Sequence, residues 1–160
     1  MKKILKQNKG FSLVELLIAL LIMAVIAGTA ITLFGGVLET SKGGADRETA
    51  ESIKRAILTY MNASNDTKLN ALDKTSDTTL ISSLSKRIEI TDDGAGGLQS
   101  SVTSGTTIDI SVVKGTFGPF LERENIKPTQ DGKTGWTITV DPVTQIISVE
   151  ATSGGSLTVN

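Results

Sequence analysis

The chain has 160 residues, enough for one modest domain plus a membrane element, with 16 basic and 17 acidic side chains and a net charge of −1. It contains no cysteine and no histidine, which excludes disulfides, thiol nucleophiles, zinc–thiolate sites and the commonest general base and metal ligand. Without the four lysines of the first nine residues, 12 basic side chains face 17 acidic ones, a balance of −5 that offers no basic stripe for nucleic acid.

Those lysines are Lys2, Lys3, Lys6 and Lys9, and no acid stands among them. Phe11 to Phe34 then runs for 24 residues with a single charge, Glu15. Since about 20 residues at about 1.5 Å each cross the hydrocarbon core, this run predicts a membrane-spanning helix. The lysines predict that its N-terminal end stays in the cytoplasm. Leu16 to Ala27 is apolar on every side, as suits lipid or the centre of a helical bundle. Gly28, Thr29 and Thr32 are expected to loosen the helix beyond it. Glu15 is the anomaly. A lone carboxylate at such a position costs on the order of 3 kcal/mol on insertion scales. Physics alone leaves two readings open, a glutamate kept wet at the interface and a glutamate facing a partner. A secretory signal has a shorter apolar core, about 7–15 residues, followed by a small-residue cleavage site. Ala24 to Ala30 offers a weak site of that kind but leaves Gly10, Phe11 and Glu15 unexplained.

The stretch Lys9-Gly10-Phe11-Ser12-Leu13-Val14-Glu15-Leu16-Leu17 resembles the processing site of the type IV pilin superfamily, which includes the pseudopilins of type II secretion and competence systems. The resemblance covers Lys9 to Phe34. It implies that a prepilin peptidase cuts between Gly10 and Phe11 and N-methylates Phe11, with Glu15 as the assembly glutamate. The expected division is a basic leader, 1–10, which is removed; a transmembrane and assembly helix, 11–34; an amphipathic continuation, 35–63; and a globular β-rich head, 64–160. The partners implied are other copies of the chain or related pilins in a helical filament, the peptidase, the membrane assembly platform and, before assembly, the lipid bilayer. The implied location is the cytoplasmic membrane, single-pass with the N-terminus inside, and then an extracellular or periplasmic filament. Pilins usually carry a proline about twenty residues beyond the cut. Here that position is Thr32, a departure that leaves room for a minor pilin or pseudopilin.

Beyond the glycine pairs Gly35-Gly36 and Gly43-Gly44 an amphipathic helical pattern returns, and continuity between the two stretches stays open. Asp46 is expected as an N-cap or first-turn acid. Ala50, Ile53, Ala56, Ile57, Tyr60 and Met61 form the apolar stripe, and Glu51 and Arg55 are spaced to pair across one turn. Asn62 to Asn65 predicts the stop. Residues 65–79 read as a connecting loop, and Asp77 precedes a short helix through Leu80, Ile81 and Leu84. Period two then predicts strands at Ile88 and Ile90, at Ile108, Ile110 and Val112, and in a hairpin spanning 135–151, with Leu157 and Val159 as a last edge strand. Asp92 to Gly97 reads as a turn and Gly115 to Lys133 as an irregular connection. The fold class expected is α+β, a long N-terminal helix packed on a small antiparallel sheet, which the resemblance also implies.

Other candidate sites carry little weight. Asp92, Asp93, Asp131 and Asp141 are carboxylates of the kind hard cations take, and calcium sites occur in some pseudopilins. However, Asp92-Asp93-Gly94 lacks the ligand spacing of a calcium loop and is chiefly a turn signal. Gly94 to Gly97 lacks the Lys-Ser/Thr of a phosphate loop. Trp136 reads as the hairpin's core anchor, and Asp109 and Glu150 as solvated acids on strand faces. With no nucleophile–base pair, neither an enzyme nor a bound cofactor or metal is expected. Two classes remain, a filament subunit and a monomeric membrane-anchored binding domain. They are discriminated by Glu15 and the Gly10–Phe11 junction.

Overall fold

The computed structural model describes residues 10–103 and 107–160. The lysine-rich segment 1–9 lies outside them. The elements in order are α1 (Leu13–Ser64), α2 (Asp77–Ser85), β1 (Ile88–Asp92), β2 (Leu98–Ser100), β3 (Gly115–Phe117), β4 (Gly135–Val140), β5 (Ile147–Thr152) and β6 (Ser156–Val159). The chain divides into two compact units, one ending at Thr40 and one comprising Ser41–Asn160.

The first unit contains the apolar start of α1. Its large side chains from Phe11 to Leu38 are exposed, and the helix is long and apolar enough to cross a bilayer. The expected loosening at Gly28, Thr29 and Thr32 does not occur, and α1 also passes through both glycine pairs without a break. The hydroxyls stay inside the helix. Thr29 donates to the Ile26 carbonyl at 3.0 Å and Thr32 to the Thr29 carbonyl at 2.9 Å, so neither polar group is left unsatisfied in an apolar setting.

In the second unit the C-terminal part of α1 buries one stripe, and Ile53, Ile57 and Tyr60 are fully enclosed. These side chains share a single core with Leu80, Leu84, Ile88, Ile90, Trp136, Ile138 and Val140. Tyr60 donates to Asp66 at 2.8 Å, and burial together with the adjacent Asp66 charge pushes the phenol far above its ordinary value of 10.0. The helix ends at Ser64, where Asn65 takes a left-handed φ of 60°. The segment after it is a loop with a buried interior, since Leu69, Ala71 and Leu72 all join the core.

Helix α2 is capped one residue before Asp77. Thr79 N donates to Ser76 Oγ at 3.2 Å and Ser76 N donates to Thr79 Oγ1 at 3.0 Å, the two reciprocal bonds of a capping box. Asp77 is free to act elsewhere, and its Oδ2 accepts from Trp136 N at 2.9 Å. That bond ties α2 to the start of β4.

Two three-stranded sheets follow, in the orders β2-β1-β3 and β5-β4-β6. The hairpin of β4 and β5 forms as its alternation predicts, with Ile138 opposite Val149. Elsewhere the strands depart from the sequence pattern. Ile108, Ile110 and Val112 do not make a strand. Only Ile108 bridges, to Leu98, while Ser111 N donates to Asp109 Oδ1 at 2.9 Å and turns the chain, leaving Ile110 exposed. Asp109 is therefore a turn acid and not one on a strand face. Residues 98–100, just after the expected turn, and 115–117, inside the expected irregular connection, instead form the two strands that flank β1. The last strand lies at an edge but runs parallel to β4. Between β5 and β6 the chain crosses the start of β4 at Gly135, where a β-carbon would strike the Gly155 backbone. A β-carbon on Gly155 would overlap both carboxylate oxygens of Asp77. Glycine at both positions makes the crossing possible.

Two polar expectations on α1 also change. Glu51 pairs with Lys54 at 3.7 Å, three residues on, while Arg55 Nε donates to the Glu51 carbonyl at 3.3 Å. Asp46 caps nothing on α1, because the helix began more than thirty residues earlier. It is buried and accepts from Thr129 N at 2.7 Å, Thr129 Oγ1 at 2.8 Å and Gln130 N at 3.1 Å. Burial pushes the Asp46 carboxyl up, but the bonds from the Thr129 and Gln130 backbone and the Thr129 hydroxyl outweigh it and hold the group below 3.8. Its contribution to stability is complete above pH 3.8 and is lost as the pH falls through the lower, folded value. The Thr129 and Gln130 amide resonances are expected to titrate with a midpoint below 3.8 in an NMR pH series. A midpoint at or above that value removes Asp46 as the anchor of this loop.

Candidate functional site

The N-terminal motif forms its own local structure. Gly10 and Phe11 lie in non-helical backbone just ahead of α1. Phe11 is 90% exposed, and a β-carbon added at Gly10 would meet nothing within 4 Å. The bond between them therefore joins two exposed residues and lies outside the helix. Helix α1 opens immediately after, with Leu16 N donating to the Ser12 carbonyl at 3.2 Å.

Ser12 is the N-cap, and Glu15 stands three residues on. Ser12 N donates to Glu15 Oε2 at 3.0 Å, and Val14 N donates to Ser12 Oγ at 3.4 Å. This is the reach-back arm of a capping box, in which the acid satisfies the N-cap amide and sits against the positive end of the helix. The sequence carries the signal openly as Ser12-Leu13-Val14-Glu15. Reading Glu15 only as a charge that is either wet or paired with another chain passes over it. In the isolated chain the carboxylate already has a backbone donor, which lowers the cost of holding it near lipid. The described part of this helix offers no side-chain cation nearby, since no Lys or Arg stands between residues 10 and 41.

The remaining sequence candidates are scattered. Asp92 pairs with Lys114, and Asp131 with Lys42 at 2.6 Å. Asp93 accepts from Ala95 N at 2.8 Å and Gly97 N at 2.9 Å. Asp141 accepts from Val143 N at 2.9 Å and Thr144 N at 3.2 Å. Bonds from their own turns hold Asp93 and Asp141 below the ordinary carboxylate value. Among the described residues no three such groups converge. Trp136 is buried in the core and donates from Nε1 to the Ile126 carbonyl at 2.8 Å, so its indole anchors the hairpin to the long connection before it. Glu150 lies exposed on β5.

The chemistry-bearing part of the chain is thus the exposed Gly10–Phe11 junction, the capped Glu15 and the unburied apolar helix behind them. Residues 5–31 match the family model for the prokaryotic N-terminal methylation motif. No curated protein and no solved structure matches the chain. The motif is that of a family of structural subunits that are anchored in a membrane before they assemble with related subunits. The chain carries the prepilin motif of the type IV pilin and pseudopilin superfamily.

Proposed function

We propose that the chain is the precursor of a filament subunit, cut after Gly10, N-methylated at Phe11 and polymerised through its N-terminal helix into a type IV pilus or related fibre. The observation that carries this reading is the methylation motif at residues 5–31, continuous with a helix whose apolar side chains are exposed. In the membrane, residues 11–34 span the bilayer and the lysines of the leader 1–10 hold the N-terminus in the cytoplasm. A prepilin peptidase meets the Gly10–Phe11 bond at that face. Residues 35–63 and the head 64–160 lie on the opposite side. The membrane assembly platform then moves the subunit into the fibre, where the apolar helix surfaces exchange lipid for one another.

Cleavage creates a new cation, the α-amine of Phe11, and methylation leaves it protonatable. In a bundle of packed helices an ionised Glu15 needs a positive partner within a few ångströms. The amine of a neighbouring subunit supplies it and sets the axial register, since a slip of one residue leaves two buried charges unmatched. Thr32, at the place where pilins usually carry proline, leaves room for a minor pilin or a pseudopilin of a secretion or competence system as the alternative kind.

Processing is the direct test. Mass spectrometry of the mature protein is expected to find Phe11 first and methylated, and Gly10→Val is expected to leave an uncut precursor in the membrane, because a β-branched side chain blocks the backbone at the cut. A mature chain beginning after Ala27 or Ala30 would instead establish ordinary signal cleavage and end the filament reading.

A further inference from the structure

The sheet β5-β4-β6 ends on two open edges. On β5 the ladder fixes which backbone groups are free. Asp141 N donates to the Ile146 carbonyl at 3.0 Å and Thr134 N to the Thr152 carbonyl at 2.8 Å. The even-numbered residues therefore turn their amides and carbonyls to β4, and Ile147, Val149 and Ala151 turn theirs outward. On β6, Asn160 N donates to the Val140 carbonyl at 3.1 Å. Thr158 faces β4 in the same way, and Leu157 and Val159 face outward. Among the described residues none of these outward groups has a backbone partner.

A free edge is a template for another strand, and folded proteins usually blunt it with short strands, lysine, proline or a covering segment. The sheet β2-β1-β3 is blunted in this way. Its outer strands have three residues each, Ile108 bridges to Leu98 on β2, and Lys114, paired with Asp92, precedes β3. By contrast, β5 and β6 contain no Lys, Arg or Pro. Beside β5 lies an open groove of about 530 Å³, bounded by Val149 and Ala151 on one side and by Arg47 and Ala50 of α1 on the other. Val149 and Ala151 on one edge and Leu157 and Val159 on the other are half-buried, and all four pack against the same core.

We propose that β6 of one copy pairs antiparallel with β5 of the next, in the groove beside α1, so that the sheet continues from head to head. Leu157 then stands opposite Ala151 and Val159 opposite Val149, the residues whose amides and carbonyls are free on each edge. All four apolar side chains stay on the core face, where cross-strand neighbours cover one another. Within the chain β6 runs parallel to β4 and β5 runs antiparallel to it. Copies that point the same way along a fibre therefore bring the two edges together in opposite senses. Because the edges differ, the contact is heterologous and repeats from copy to copy, whereas pairing of like edges closes at two. The proposal rests on the filament reading and adds to it the surface through which the heads join.

In this register Thr158 falls opposite Glu150, both exposed, and the chain has no cysteine. The full-length chain carrying both Thr158→Cys and Glu150→Cys, as the only copy in its native cell, is expected to form filaments. Mild oxidation of these is expected to give a ladder in which each rung adds one subunit. Either substitution alone is expected to give no cross-link. Proline supplies a second readout. Leu157→Pro removes an outward amide and spares the bonds to β4. It is expected to lower the yield of sheared filament about tenfold, while the membrane-held chain resists protease as the wild type does. Thr158→Pro removes an inward amide and is expected to lose that resistance. The pairing is overturned by double-cysteine filaments without a ladder, by a dimer from either cysteine alone, by a cross-link to a different protein, or by Leu157→Pro filaments at wild-type yield. Each of those results leaves the filament reading standing. Absence of filaments from the wild-type chain overturns both.

Discussion

A Glu15→Leu chain is expected to match the wild type in membrane insertion and in the proposed cut after Gly10, yet to enter sheared filaments about a hundredfold less. The change makes the helix more apolar, so lipid partitioning alone predicts no loss. Two contacts of very different size are at stake. In the isolated chain Ser12 N donates to Glu15 at 3.0 Å, and a cap of this kind is worth about 1 kcal/mol. Removing one member of a buried ion pair costs about 3–5 kcal/mol, which is a factor of a hundred or more in association. Glutamine separates them. A capping box accepts Gln in place of Glu, so Glu15→Gln keeps the helix start and loses only the charge. If the pair with the Phe11 amine of a neighbour governs assembly, Glu15→Gln fails like Glu15→Leu. If the cap is the whole role, Glu15→Gln assembles at wild-type level. Filaments should be counted as well as weighed, because a subunit acting at the tip changes their number rather than their length.

Ile57→Asp is expected to destabilise the head by more than about 4 kcal/mol, the range reserved for a charge placed in a core. Ile57 is fully enclosed, on the stripe that shares a core with Trp136 and Ile138. Among the described residues no Lys or Arg is buried, so the carboxyl stays protonated or the stripe separates from the sheet. In a fragment from Thr40 onward, which contains the whole compact second unit, a loss of that size lowers the melting temperature by about 15 °C or more. Ile57→Val, which only removes a methylene, is expected to cost about 1 kcal/mol. Equal melting temperatures for Ile57→Asp and the parent show that a different face of α1 covers the sheets.

The division between what was legible in the chain and what was not follows the distance over which each feature is determined. The apolar helix, the Gly10–Phe11 junction, the buried stripe of Ile53 and Ile57 and the β4–β5 hairpin each depend on residues close together in sequence, where period and turn chemistry act directly. The cap at Ser12 and Glu15 is equally local, written in four consecutive residues. Its role is obscured only because the same glutamate also poses a question about charge in lipid.

Tertiary structure decided the rest. Asp46 looks like a helix cap because its partners, Thr129 and Gln130, are 83 and 84 residues away. Residues 115–117 are too few to show alternation and become a strand because β1 offers them an edge. At 108–112 the alternation is present, but a turn built on Asp109 satisfies the backbone sooner than a neighbouring strand does. The parallel pairing of β6 required a crossing over Gly135 with Gly155 against Asp77. That arrangement depends on a helix more than fifty residues earlier. Local pattern is enough for the methylation motif, a helix long and apolar enough to cross a bilayer, and a β-rich head. Only the fold decided strand order, the anchoring of the long connection and which strand edges stay open, because each depends on groups that meet across the core rather than along the chain.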